Sequence, residues 1–148
     1  MKNWVMPALQ TLFTALVITG FFAVSWFGES LTLRAEPYDP FDPFLGEYVM
    51  LSYPDLEAPS GMENTTVYFT LKEAEDGYAV IDSVDDQPFF GAIEGYTFDQ
   101  RVTAPQLEQF YVEQGTGPEL EAAEDLQVTV DVAPWGAIRP VALEIREE

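Results

Sequence analysis

An uncharged run of 26 residues, from 3 to 28, lies near the start of this 148-residue chain. Its interior is mainly Leu, Phe, Val, Ala and Ile, and an α-helix of about 20 such residues spans the hydrocarbon core of a bilayer. Trp4 and Trp26 stand near its ends, where aromatic rings favour the membrane interface. A cleaved signal sequence would have a more basic start, a shorter apolar core and a small-residue cleavage site, whereas Lys2 is the only basic residue in the first 33. We therefore expect residues 1–28 to be a retained transmembrane anchor.

The acidic residues all follow this run. The chain has 26 acidic and 6 basic side chains, with a net charge of −20. Positive flanks stay in the cytoplasm, so Lys2 favours a cytoplasmic amino terminus and an outer position for the remainder, although Arg34 on the far side opposes this. The acid excess disfavours nucleic acid, whose binding needs Lys and Arg to neutralise phosphates. The absence of Cys and His excludes disulfides, thiolate nucleophiles and imidazole proton relays.

A proline-rich segment, residues 29–45, separates the anchor from the rest of the chain. Pro37, Pro40 and Pro43 follow one another at intervals of three. Each proline lacks a backbone donor and disfavours helix in the residue before it, so this spacing disfavours both a helix and a central strand. We expect an extended, semi-rigid stalk here, followed by one acidic domain over residues 46–148, a length that suits a single hydrophobic core.

The domain has the period-two alternation of β-strands, in short segments separated by turn residues. The predicted strand segments are 48–53, 65–71, 78–81, 95–102, 126–132 and 137–145. Glu75-Asp76-Gly77 predicts a tight hairpin turn, and Pro118 followed by Glu119 predicts a short helix. The predicted fold class is mainly β: one N-terminal transmembrane helix, followed by a small antiparallel barrel- or sandwich-like domain with one short helix.

Residues 46–53 read G-E-Y-V-M-L-S-Y and closely resemble the signature of the GDYXXLXY family of membrane-anchored bacterial proteins. The matching positions are Gly46, Tyr48, Leu51 and Tyr53, and Glu47 stands where the family usually has Asp. Alternation places Tyr48 on one face of a strand and Leu51 and Tyr53 on the other. From the residues alone, the motif is therefore a fold-defining strand, with contact to a partner or ligand as the alternative.

A second stretch, residues 110–120, resembles the family's second landmark, in which an aromatic strand runs into a glycine-bearing turn. The positions that carry this likeness are Tyr111, Gly115 and Gly117. The proline expected after Val112 is absent. The two landmarks extend the resemblance over nearly the whole chain, and it brings no established chemistry with it.

The resemblance also implies a partner, because family members are often encoded beside multi-pass membrane proteins. We expect a non-enzymatic accessory or interaction subunit without a cofactor, whose helix and outer domain dock on a multi-pass membrane protein or complex. The expected location is a bacterial inner membrane, or an internal photosynthetic or respiratory one, with the carboxyl-terminal domain periplasmic or lumenal. Small residues in the anchor suit close helix packing: Thr14, Thr19, Gly20 and Ser25.

Two other functions stay open from the sequence. The first is an outer module that binds a small ligand in an aromatic pocket, lined by Tyr48, Tyr53, Tyr68, Tyr78, Tyr96 and Trp135. The second is a degenerate relative of the membrane-anchored signal peptidases, which use a Ser-Lys dyad. An active dyad is disfavoured because Lys72, the only Lys after Lys2, is followed by three acids that keep it protonated.

Acidic residues give one weak candidate for a cation site. Hard cations take oxygen ligands, and the densest acidic cluster is Asp82, Asp85 and Asp86. Its spacing does not follow the Asp-x-Asp-x-Asp-Gly pattern of calcium loops. We therefore expect a solvated acidic turn there and no metal.

Overall fold

The computed structural model describes residues 4–39, 48–113, 115–123 and 125–146. Gly46 and Glu47 of the family motif lie outside the described residues. The elements, in chain order, are α1 Val5–Phe27, β1 Glu29–Asp39, β2 Tyr48–Ser52, β3 Thr66–Glu73, β4 Ala79–Asp85, β5 Ile93–Phe98, β6 Arg101–Thr103, β7 Gln109–Tyr111, α2 Gly117–Glu121, β8 Leu126–Val132 and β9 Ile138–Ile145.

Helix α1 has 23 residues, and none of them is buried. At 1.5 Å per residue it is about 34 Å long, and it is long and apolar enough to cross a membrane. The hydroxyls of Thr11 and Thr14 donate to backbone carbonyls four residues earlier, at 2.9 Å in both cases. These polar groups are therefore satisfied within the helix, which suits an apolar surrounding.

The strands form two antiparallel sheets. The first has the order β7-β2-β1-β8-β9, and the second has the order β4-β3-β5-β6. Their facing residues belong to one hydrophobic cluster, in which Leu33 of β1, Val128 of β8 and Phe69 of β3 are almost completely buried. The predicted sandwich-like β domain with one short helix, α2, is confirmed.

Segment 29–39 is a central strand, so the predicted stalk is wrong for these residues. Residues 29–35 pair with β8, and the end of the strand pairs with β2. Leu31, Leu33 and Ala35 alternate into the core, with at most 5% of each exposed. The sheet accommodates Pro37, which has no N–H to donate, because the register with β2 is irregular between Pro37 and Asp39. Residues 40–45 of the predicted stalk lie outside the described residues.

The predicted hairpin between β3 and β4 is confirmed. The two strands pair antiparallel, and the N–H of Gly77 donates to the carbonyl of Ala74 at 3.0 Å. Gly77 has a φ of 83°, a conformation that glycine adopts without steric cost.

Candidate functional site

The family motif forms β2, and its inward face builds the core. Val49 and Leu51 are 0% and 6% exposed, which confirms the predicted phase of the strand. Tyr53 follows the strand and is also buried, and its hydroxyl donates to the carbonyl of Leu107 at 2.8 Å. Burial raises the pKa of Tyr53 above its usual range, so this tyrosine is a neutral, hydrogen-bonded core residue.

The structure brings the two family landmarks together, because β2 pairs with β7. Tyr48 lies opposite Tyr111, with ring centroids 6.2 Å apart. Phe110 lies opposite Val49, and the N–H of Leu51 donates to the carbonyl of Glu108 at 3.0 Å. Tyr111 leaves 71% of its surface exposed. Tyr48 is half-buried, so the two landmarks together present a partly accessible pair of rings, Tyr48 and Tyr111, which we call the tyrosine pair.

The two glycines of the second landmark connect β7 to α2. Gly115 has a φ of 98°, and Gly117 is the first residue of α2. In the turn between these elements, Thr116 bonds the carbonyl of Glu113 through both its N–H and its hydroxyl, at 3.1 and 2.8 Å. The positive φ of Gly115 assigns this glycine a backbone role in the turn that leads into α2.

A cluster of polar side chains joins α1 to the β domain. The carboxylate of Asp131 on β8 accepts hydrogen bonds from Ser25 on the helix and from Ser30 on β1, the latter at 2.7 Å. Arg139 on β9 donates to Ser25 and lies 3.5 Å from Asp131. The guanidinium of Arg139 also lies 5.0 Å from the ring centroid of Phe21. We call Ser25, Ser30, Asp131 and Arg139 the junction.

The junction holds its acid in the charged form. Asp131 is only 7% exposed, and burial alone would raise its pKa. The hydrogen bond from Ser25 has the largest effect, and with the bond from Ser30 and the charge of Arg139 it lowers the pKa of Asp131 below its ordinary value. A buried carboxylate with these partners fixes the end of α1 against the β8–β9 hairpin.

Gly28 makes this close approach possible. A Cβ at this position would collide with the carbonyl oxygen of Val24 and would lie 3.1 Å from the carbonyl oxygen of Val132. The helix therefore ends directly on β8 with no room for a side chain between them. Ser25, which the sequence suggested as a helix-packing residue, bonds a side chain of its own chain instead.

A second polar cluster surrounds Arg34, farther along β1. Arg34 lies 3.1 Å from Asp55 and 3.2 Å from Asp76, and its guanidinium lies 4.4 Å from the ring centroid of Tyr78. Arg146 lies over the same ring, at 5.7 Å. The cluster links β1 to the β3–β4 turn, so it connects the two sheets.

Three of the residues that the sequence suggested as lining an aromatic pocket have partners within the chain. Tyr53 is in the core, and Tyr78 is covered by Arg34. Tyr96 donates to the carboxylate of Glu108, and this hydrogen bond raises the pKa of Tyr96 to about 12. Trp135 lies in the β8–β9 turn and is 47% exposed.

The acidic candidates do not form a metal site. Asp82 pairs with Lys72 at 2.9 Å, and Asp85 accepts a hydrogen bond from the N–H of Gln87. Within the described part of the chain, no group of three or more acidic side chains is placed to hold a metal ion. The side chain of Lys72 is 57% exposed, whereas the Lys of a Ser-Lys dyad is held in a desolvated pocket.

Sequence reasoning found the motif but missed the junction. Asp131 looks like one more acid on the polar face of an alternating strand, and its partners are about 100 residues away in the sequence. The one available signal was the position of Ser25 and Ser30, which are hydroxyl residues on both sides of the helix end.

Comparison with known proteins supports the family assignment. A family model described as GDYXXLXY protein matches residues 10–143. No curated protein and no solved structure matches the chain. Because the family model covers nearly the whole chain, including both landmarks and most of α1, the chain belongs to the GDYXXLXY family.

Proposed function

We propose that this protein is a non-enzymatic, single-pass membrane accessory subunit, whose helix and acidic outer domain dock together on a multi-pass membrane protein or complex. The observation that carries the proposal is the junction. A simple tether would need only a flexible linker, whereas here a buried acid and its three partners join the helix to the sheet. A helix and a domain joined in this way present one continuous surface to a partner.

Most of the helix surface, from Val5 to Phe22, is exposed and available for such contact. No residue of α1 is buried by the rest of the chain. Thr14, Thr19 and Gly20 allow a neighbouring helix to approach closely, and at Gly20 a Cβ would meet nothing within 4 Å.

The outer domain offers the tyrosine pair as its contact. Tyrosine combines a large apolar ring with a polar tip and is enriched in interfaces. Tyr111 is 71% exposed although it belongs to a family landmark. The acid excess of the chain favours a partner with a basic rim, because complementary potentials steer association.

Orientation can be tested with single cysteines, because the chain has none of its own. We expect Ser60→Cys, in an exposed turn, to react with a membrane-impermeant maleimide in spheroplasts. Lys2→Cys should react only after the membrane is permeabilised. The reverse labelling pattern would contradict the proposed orientation, and a mature protein that lacks residues 1–28 would contradict the anchor.

The partner can be tested by detergent extraction of the tagged intact chain from native membranes. We expect a multi-pass membrane protein at stoichiometric yield, and we expect Tyr111→Ala to reduce its recovery. The matched control is Phe98→Ala, since Phe98 is also strongly exposed, at 64%. Recovery of this chain alone, or an equal loss with both variants, would count against docking through the tyrosine pair.

A further inference from the structure

An aromatic group lies at the end of the β domain from which the helix emerges. Strand β8 runs antiparallel to β1, with Val132 opposite Glu29, so β8 ends where β1 begins. The β8–β9 turn, residues 133–137, therefore projects toward the helix side of the domain. It is closed by the N–H of Ala133, which donates to the carbonyl of Ala137 at 2.8 Å.

The β4–β5 loop, residues 86–92, lies against this turn. A Cβ at Gly136 would collide with the carbonyl of Ala92, and a Cβ at Gly91 would lie 3.0 Å from the carbonyl oxygen of Pro134. The loop and the turn thus meet through their backbones. Their large apolar side chains are left at the surface: Phe89 is 38%, Phe90 88% and Trp135 47% exposed. We call these three residues the aromatic tip.

The tip lies beside the last turns of α1. Arg139, just after the β8–β9 turn, reaches Ser25 and the ring of Phe21, which both lie within the last two turns of the helix. Trp26 and Phe27, on those same turns, are 66% and 67% exposed. The tip and the helix end therefore form one aromatic zone at a single level of the molecule.

We infer that the aromatic tip inserts into the interfacial layer of the bilayer that α1 crosses. Aromatic rings favour this layer, and the zone is continuous with the apolar helix. Nearby charge excludes attraction to anionic headgroups, because Asp85 and Asp86 flank the loop and Arg139 is already paired with Asp131. The insertion is therefore apolar and needs no anionic lipid. This inference rests on the proposed membrane anchor.

Bromolipid quenching of single tryptophans tests it in the intact chain, reconstituted in phosphatidylcholine vesicles. The first protein keeps only Trp135, and the second keeps only Trp26. The third protein is the control: every native Trp is changed to Phe, and its one Trp is introduced by Tyr111→Trp. Position 111 lies roughly 30 Å along the sheet from the helix end. With bromine near the headgroup, fluorescence should fall at least about twofold for Trp135 and Trp26, and should not change for Tyr111→Trp.

The outcomes separate this inference from the anchor. Quenching of Trp26 without quenching of Trp135 would overturn the inference and leave the anchor intact. Absence of quenching at both positions would overturn both. No protein partner is present in these vesicles. If the tip contacts a protein partner and not the bilayer, Trp135 will therefore stay unquenched, and this result also counts against the inference.

A charge placed at the tip gives the matched comparison. In the Trp135-only protein, Phe90→Glu should reduce the quenching by about half. Phe98→Glu, at the opposite end of β5, should leave it unchanged. Equal quenching with Phe90→Glu, or stronger quenching when anionic phosphatidylglycerol is added, would overturn apolar insertion.

Discussion

Strand β1 makes residues 29–39 part of the folded domain, so a fragment that begins at residue 46 should not fold. The fragment lacks the central strand of the five-stranded sheet. Leu31 and Leu33 are at most 5% exposed, and burial of each stabilises the fold by about 1.5–3 kcal/mol. The loss from these two side chains is about 3–6 kcal/mol, against a total stability of about 5–15 kcal/mol for a typical domain. Strands β2 and β8 would also each lose a hydrogen-bonded neighbour. Each buried backbone group left unpaired lowers the stability by about a further 1–3 kcal/mol.

The assay compares fragments 29–148 and 46–148 by urea unfolding, followed by far-UV circular dichroism. We expect a cooperative transition for 29–148 and none for 46–148. A peptide of residues 29–45, added to the shorter fragment, should restore the transition if β1 is the missing element. Cooperative unfolding of 46–148 at the same urea midpoint as 29–148 would show that β1 is not needed for folding.

Three further predictions concern single residues. Asp131→Asn should destabilise the intact chain in micelles by about 2 kcal/mol, less than the loss of a fully buried pair would, because Arg139 is partly exposed. Since the folded pKa of Asp131 lies below 3.8, the ionised acid stabilises the fold above that pH, and this contribution is lost as pH falls through the folded pKa. The urea midpoint of the variant should therefore depend less on acid pH than that of the unchanged chain, and an equal dependence would contradict the junction. Leu51→Asp should abolish folding, since an unpaired buried charge costs several kcal/mol, while Ser52→Asp on the opposite face should fold. Circular dichroism of both variants decides this, and a folded Leu51→Asp would mean that the strand phase is wrong. Tyr53→Phe should lower stability by about 1 kcal/mol through its lost hydrogen bond, and an unchanged thermal midpoint would show that this bond contributes nothing.

Local patterns in the sequence are sufficient for much of this architecture. The long apolar helix follows from an uncharged run, and the phase of β2 follows from period-two alternation. Leu51 and Tyr53 are therefore buried as predicted. The same alternation is present in residues 29–35, where Leu31, Leu33 and Ala35 face the core, but the prolines that follow led to the prediction of a stalk. Proline excludes one backbone hydrogen bond, and the irregular register at Pro37 shows how a sheet tolerates that loss.

The apolar helix, the β-rich domain and the family motif can be read from the sequence, because each depends on neighbouring residues. The pairing of the strands depends on the folded chain, and this pairing places Tyr48 against Tyr111 from a landmark about 60 residues away. Tertiary structure also turned Asp131 from one acid among 26 into a buried residue of the junction. The position of Phe90 and Trp135 beside the helix end has the same origin. Burial and proximity depend on how distant strands align, and no local residue pattern specifies that alignment.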